Sequence, residues 1–145
     1  MRSLRELRPL RDQEPDLATA RKLVDEARTI TPAPTGRAGL VHYVVASSLL
    51  HRFLEAGPKS PRDAAEAWYL LGITEVGTNS GFWVSQADVY LETAIRTDPK
   101  APSAERAYAL LEESIVEGYS GSAGVNVPPE ESARLAELRA LMAAK

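Results

Sequence analysis

Cysteine is absent from this chain of 145 residues, which excludes disulfides, thiolate metal sites and cysteine nucleophiles. Long hydrophobic runs are absent too. The longest, residues 40–50, contains a histidine and two serines and falls far short of the roughly 20 apolar residues that a membrane span requires. The formal net charge of -3 gives the chain no overall positive field that would hold nucleic acid or an anionic membrane. We therefore expect no membrane span and no nucleic-acid partner.

The amino terminus carries arginines but no apolar stretch followed by a cleavage site of small residues, so it does not resemble a signal peptide. This predicts a cytoplasmic protein by default. A periplasmic or other extracytoplasmic location stays open if a leader had been cut away before Met1. The lack of cysteine is compatible with either compartment.

The composition predicts one globular domain. Hydrophobic residues make up 44% of the chain and charged residues 26%, which are ordinary values for a folded protein of this length. Residues 1–13 alternate arginine and leucine with a period of three that Pro9 breaks, and we predict a basic N-terminal arm there. Residues 14–145 are predicted to form a single helical domain.

The central stretch, residues 64–102, has the pattern of two amphipathic helices closed by a turn that contains proline. We expect the first helix to end at Val76, a loop over Gly77–Gly81, and a second helix over Phe82–Arg96. The positions that give this stretch its pattern combine small and large apolar residues at fixed spacings: Trp68, Leu71 and Gly72 in the first helix, then Ala87, Leu91, Ala94 and Pro99.

This pattern resembles a tetratricopeptide (TPR) repeat, a helix-turn-helix unit that stacks into arrays. The resemblance implies an all-α fold, an antiparallel helix-turn-helix array of about six helices with a C-terminal capping helix that begins near Pro129. It also implies a noncatalytic module for protein–protein interaction or assembly, with no cofactor. Its partner would be a peptide or an amphipathic helix.

In TPR proteins the first helix of each repeat lines a groove that binds the partner. By motif position, the corresponding residues here come from two helices: Glu66, Tyr69, Ile73, Val76, Ser103, Arg106, Leu110 and Glu113. These positions lack the cluster of Lys, Arg and Asn with which some family members grip an acidic carboxyl-terminal tail. A mixed, partly apolar groove favours an amphipathic helix or an extended peptide instead.

The most apolar helix is predicted over residues 36–57, as the longest in the chain and buried on more than one side. It contains both histidines. At about 100° per residue, His42 and His51 project to nearly opposite sides, so they cannot chelate one ion together.

Two alternative functions remain open. One is an enzyme or a protein that binds a metal or small ligand, using His51, Glu55 and the Gly/Ser-rich loop Gly118–Gly124. The histidine and glutamate lack a third ligand, and the loop lacks the lysine and the preceding strand of a phosphate-binding loop. No catalytic residue or metal ligand is therefore predicted. The other alternative is a structural subunit that associates with its own copies.

Overall fold

The computed structural model describes residues 4–30, 38–78, 85–122 and 124–144. Within these ranges the chain is an all-α helical array, as the sequence predicted, and one pair of very short antiparallel strands lies in the predicted loop after α6. The elements are α1 (Leu4–Asp12), α2 (Leu17–Ile30), α3 (Leu40–Glu55), α4 (Pro61–Thr78), α5 (Ala87–Thr97), α6 (Pro102–Gly118), β1 (Ser120–Gly121), β2 (Gly124–Val125) and α7 (Pro129–Ala143). None of the helices in these ranges has the length and apolar content needed to cross a bilayer.

Local side-chain and backbone signals fix several helix ends. Asp16 precedes α2, and its Oδ2 accepts hydrogen bonds from both the backbone N–H and the hydroxyl of Thr19, at 2.9 and 2.8 Å. Gly57 ends α3 with a φ of 82°, a conformation that favours glycine. The Ser60 hydroxyl accepts a hydrogen bond from the N–H of Asp63 at 3.1 Å and begins α4.

The α4–α5 pair is the antiparallel unit that the sequence pattern predicted. Gly72 of α4 lies against the side chain of Leu91 of α5, and both are buried. Near the carboxyl end of α4, a Glu75 carboxylate oxygen accepts from the N–H of Gln86, just before α5, at 3.3 Å. Ala94, the small residue predicted on the inner side of α5, is fully buried.

The helices form two layers. We call α2, α4 and α6 the first layer, because α4 packs against both of the others. The second layer contains α5 and α7, which pack against each other, together with α1 and α3. Contacts between the start of one helix and the end of the next show that three pairs run antiparallel: α3 with α4 through Tyr43 and Gly77, α4 with α5 through Gln86 and Glu75, and α5 with α6 through Asp88 and Ser114. The helices α4 and α6 therefore run parallel.

Ion pairs join α5 to α7 in the second layer. Glu92 of α5 accepts hydrogen bonds from Arg96 at 2.7 Å and from Arg134 of α7 at 2.6 Å, and Arg96 also bonds Glu137 of α7 at 2.9 Å. Burial alone would raise the pKa of the Glu92 carboxyl, but the hydrogen bonds from Arg96 and Arg134 outweigh it and lower the pKa. The C-terminal helix is therefore held by a charged network as well as by the buried side chains of Leu135 and Leu138.

The length of one helix and the boundaries of two others differ from the prediction. The helix α3, although packed against α1, α2 and α4, is not the longest: it has 16 residues, whereas α4 has 18. The helix α4 continues through Gly77, which was predicted as loop. The Tyr43 ring lies where a side chain at position 77 would be, so this position needs a glycine. The helix α5 begins at Ala87, not at Phe82; the rest of the predicted loop and the first residues of that predicted helix lie outside the described residues.

The predicted basic arm, residues 1–13, contains α1, which packs against α3. Leu7 is fully buried and belongs to the same hydrophobic core as α2 and α3. This helix brings the number in the described part of the chain to seven, where the sequence predicted about six.

Candidate functional site

The eight residues predicted to line a groove lie on α4 and α6, neighbours in the first layer, and we call this surface the α4–α6 face. The guanidinium of Arg106 lies over the ring of Tyr69, 5.8 Å from its centroid. The residues predicted on α6 repeat the spacing of those predicted on α4. The contact therefore joins two residues at equivalent predicted positions on the two helices.

Only part of the α4–α6 face is accessible. Tyr69 and Ser103 are buried, with 8% and 5% of their surface exposed. Val76 is 42% exposed, and Arg106 and Glu113 are exposed as well. The remaining three residues are half-buried: Glu66, Ile73 and Leu110. Tyr69 and Ser103 therefore pack within the protein, and a partner would meet the other six.

The charges on the α4–α6 face are largely engaged within the protein. Arg21 of α2 donates a hydrogen bond from Nε to Glu66 at 2.6 Å. Arg106, besides covering Tyr69, donates to the carbonyl of Pro102 at 3.4 Å. Glu113 makes no hydrogen bond or ion pair with any other described residue. The face thus offers no free cluster of cations to an acidic ligand.

Ser103 has an unusual environment in the first turn of α6. Its Oγ is buried and has no hydrogen-bond partner among the described residues. Burying a hydroxyl without a partner costs about 1–3 kcal/mol, so a serine is a costly choice here. Its motif position predicted a residue that lines the groove, whereas the structure places it under the surface.

One residue of the alternative site, His51, belongs to an aromatic cluster. His51 is exposed on α3 and meets the ring of Tyr90 edge-on, with centroids 6.1 Å apart. The other side of this cluster is Trp68, which stacks on Tyr90 at 5.7 Å. His51 forms no hydrogen bond or ion pair with Glu55 or with any other described residue. It therefore contributes to packing rather than to a paired donor set.

The Gly/Ser-rich loop follows α6 and contains the β1–β2 hairpin, in which Ser120 pairs with Val125. Gly124 has a φ of 105°, which favours glycine. The helix α6 runs parallel to α4, whereas α3 runs antiparallel to α4. The carboxyl ends of α3 and α6 therefore point to opposite ends of the array. The structure therefore does not bring His51 and Glu55 together with this loop. No group of three or more His, Asp or Glu side chains in the described ranges could hold a metal ion.

A hollow of about 540 Å³ lies beside α2, and the sequence did not indicate it. Lys22 and Asp25 are on its wall, together with His42 of α3. The His42 ring is buried, and its Nε2 lies 3.7 Å from a Glu26 carboxylate oxygen. Its Nδ1 has no hydrogen-bond partner among the described residues. The accessible polar groups of this hollow are therefore those of α2.

The resemblance to a TPR repeat depends on the residues of the α4–α5 pair. Between these two helices Gly72 meets Leu91 and Trp68 stacks on Tyr90, and Ala94 is fully buried. Comparison of the chain with protein-family models, with curated proteins and with solved structures finds no match.

Proposed function

We propose that this protein is a noncatalytic interaction module of TPR-like construction that binds a peptide or an amphipathic helix of a partner protein on the α4–α6 face. The observation that carries the proposal is the contact of Arg106 with Tyr69. It joins α4 to α6 through two residues that hold equivalent motif positions on these helices. An accessible row of side chains on two parallel helices is a common way to hold a peptide.

The side chains of the α4–α6 face support a protein partner that contributes both apolar and polar side chains. Val76 is exposed, and Ile73 and Leu110 are half-buried, so the face offers apolar area to a side chain of the partner. Arg21 and Arg106 are engaged with Glu66 and Tyr69, which disfavours an acidic tail. The small net charge of -3 likewise favours protein over nucleic acid as the ligand.

The test uses the full chain as bait in extracts of the native host, in three versions. One is the wild type, one carries Val76→Asp with Arg106→Glu on the α4–α6 face, and one carries Val89→Asp on α5. Val89 is 60% exposed in the other layer, so the third bait controls for the loss of an exposed valine. We expect the first and third baits to retain the same proteins and the second to lose them. Tyr69→Ala is avoided because Tyr69 is buried.

Equal retention by all three baits would contradict the proposal, provided that their unfolding midpoints agree. A thermal-shift screen with divalent metals and nucleotides addresses the alternative function. A ligand that binds only the folded protein must raise the midpoint. If such a rise is abolished by His51→Ala with Glu55→Ala, the small-ligand alternative replaces our proposal.

A further inference from the structure

A second groove, separate from the α4–α6 face, lies between α6 and α7 at the C-terminal end of the array. Its volume is about 500 Å³. Tyr108 and Glu112 line it from α6, and Leu135, Ala136 and Ala140 line it from α7. Tyr108 and Leu135 are buried and form its floor, whereas Ala136 and Ala140 are exposed on its wall.

The groove occupies the position where a further helix would continue the first layer. In that layer α2 neighbours α4, and α4 neighbours α6. Tyr108 and Glu112 project from the flank of α6 opposite Arg106, which contacts α4. Among the described helices α7 lies beside this flank, with Arg139 over Tyr108, and the groove between α6 and α7 stays open. The groove therefore has the surroundings in which this fold packs a helix.

The walls of the groove admit a helix at short distance. The distance between packed helices, usually about 8–10 Å, depends on the side chains at the contact. Ala136 and Ala140 are one turn apart on α7, and their methyl groups occupy little space. A second helix that also carries small side chains on its contacting side could approach closely at this point. The helix α7 has such a side, formed by Ala136 and Ala140.

The rim of the groove carries one charge of each sign. Arg139 donates to a Glu112 carboxylate oxygen at 3.1 Å, and its guanidinium lies 5.0 Å from the centroid of the Tyr108 ring. The side chains of Arg139 and Glu112 are 65% and 43% exposed, which leaves both accessible to a second partner. If two copies meet on this groove about a twofold axis, Arg139 of each copy can pair with Glu112 of the other as well as with its own Glu112. The groove is thus complementary in charge to itself.

We propose that the α6–α7 groove is the interface of a homodimer, in which each copy places α7 in the groove of the other. The Ala136 and Ala140 surfaces meet near the twofold axis, and Arg139 and Glu112 pair across it. On α6 this interface uses Tyr108 and Glu112, whereas the α4–α6 face uses other residues. The inference therefore does not depend on the proposed function, and both surfaces can be occupied at once.

Sedimentation velocity of the full chain tests the dimer. We expect the wild type to shift from monomer to dimer as its concentration rises. Ala140→Glu, which places a carboxylate in the groove, is expected to raise the dimer dissociation constant at least tenfold, or about 1.4 kcal/mol. Ala109→Glu provides the matched control, because Ala109 is exposed on α6 outside the groove, and it is expected to leave the constant unchanged.

Charge reversal at Glu112 and Arg139 provides a second test. Recovery of the dimer in a mixture of two variants cannot result from a change in the folding of either variant alone. Glu112→Arg and Arg139→Glu each place like charges across the twofold axis, and each variant alone is expected to be monomeric. An equimolar mixture restores opposite charges between the two chains and is expected to form a heterodimer. Circular-dichroism melts establish that both variants are folded.

The proposal fails if the wild type stays monomeric at every concentration, which would leave the groove to a helix of another protein. It fails equally if the wild type dimerises but Ala140→Glu does not weaken the dimer, or if the mixed charge variants stay monomeric. A dimer weakened by Val76→Asp and not by Ala140→Glu would assign self-association to the α4–α6 face.

Discussion

Gly72 of α4 lies so close to Leu91 of α5 that a Cβ atom at position 72 would be 2.6 Å from Leu91 Cδ2 and 2.8 Å from Cγ. Leu91 is fully buried, so its side chain has little freedom to move aside. The close approach of the two helices therefore depends on the absence of a side chain at position 72.

We predict that Gly72→Ala destabilises the protein, although alanine is the better residue for a helix. Overpacking a core typically costs about 1–3 kcal/mol, and the gain in helix propensity offsets at most about 1 kcal/mol of this. The measurement is the free energy of unfolding in urea. Gly118→Ala is the control, because nothing lies within 4 Å of a Cβ atom there, and it should be close to neutral.

A double-mutant cycle identifies the cause of that loss. Leu91→Ala removes the atoms that a Cβ at position 72 would meet, so Gly72→Ala should cost little in its presence. Additive effects of the two substitutions would show that the glycine is needed for another reason.

Acid should weaken the attachment of α7 to α5 through Glu92. Its pKa in the folded protein is below the ordinary value of 4.5, so its contribution to stability is fully present above that pH. The contribution is lost as the pH falls through the lowered pKa. We expect Glu92→Gln to reduce the free energy of unfolding by roughly 1 kcal/mol at neutral pH, and the difference from wild type to shrink in acid.

The measurement is urea unfolding at a series of pH values. Glu113→Gln is the matched control, since the Glu113 carboxylate has no ion pair with the described residues and its removal should change the free energy of unfolding little. A deficit of Glu92→Gln that stays constant down to the lowest pH would mean that packing, not ionisation, connects position 92 to α7.

Removing the buried hydroxyl of Ser103 should stabilise the protein. Ser103→Ala eliminates a polar group with no hydrogen-bond partner among the described residues, and we expect a gain of about 1 kcal/mol. Ser114→Ala on the same helix should have the opposite effect, because the Ser114 hydroxyl bonds an Asp88 carboxylate oxygen at 3.0 Å. Thermal unfolding measures both. A loss for Ser103→Ala would reveal a partner for its hydroxyl.

Asp16 should contribute to stability through the start of α2. Hydrogen bonds from the side chain and backbone of Thr19 lower the pKa of the Asp16 carboxyl. Asp16→Ala leaves the first turn of the helix without its acceptor, and such a loss typically costs about 1 kcal/mol in the free energy of unfolding. Asp16→Asn keeps an acceptor and should retain most of the stability. Equal losses would exclude capping as the cause.

Local signals in the sequence predicted the fold well. The end of α3 at Gly57 and the start of α4 after Ser60 depend on residues that act within one turn. Trp68, Gly72 and Ala94 follow a spacing that already determines which sides of two helices meet. These features could be predicted because their physical causes lie within short stretches of chain.

The features that the sequence did not predict depend on contacts between distant segments. Leu7 is buried because α1 packs on α3, and position 77 needs a glycine because the Tyr43 ring lies over it. Motif position placed Tyr69 and Arg106 on one surface, but only the contact between them shows that the tyrosine is covered. Which residues of a site are accessible is a property of the packed protein.

The β1–β2 hairpin has a practical consequence. Every described residue from 117 to 126 is exposed, and the hairpin is absent from the walls of both candidate interfaces. Exposed tips of this kind usually tolerate inserted chain without loss of the fold. A fluorophore or a short affinity sequence attached at Ser122 should therefore report on the protein while the unfolding midpoint stays unchanged.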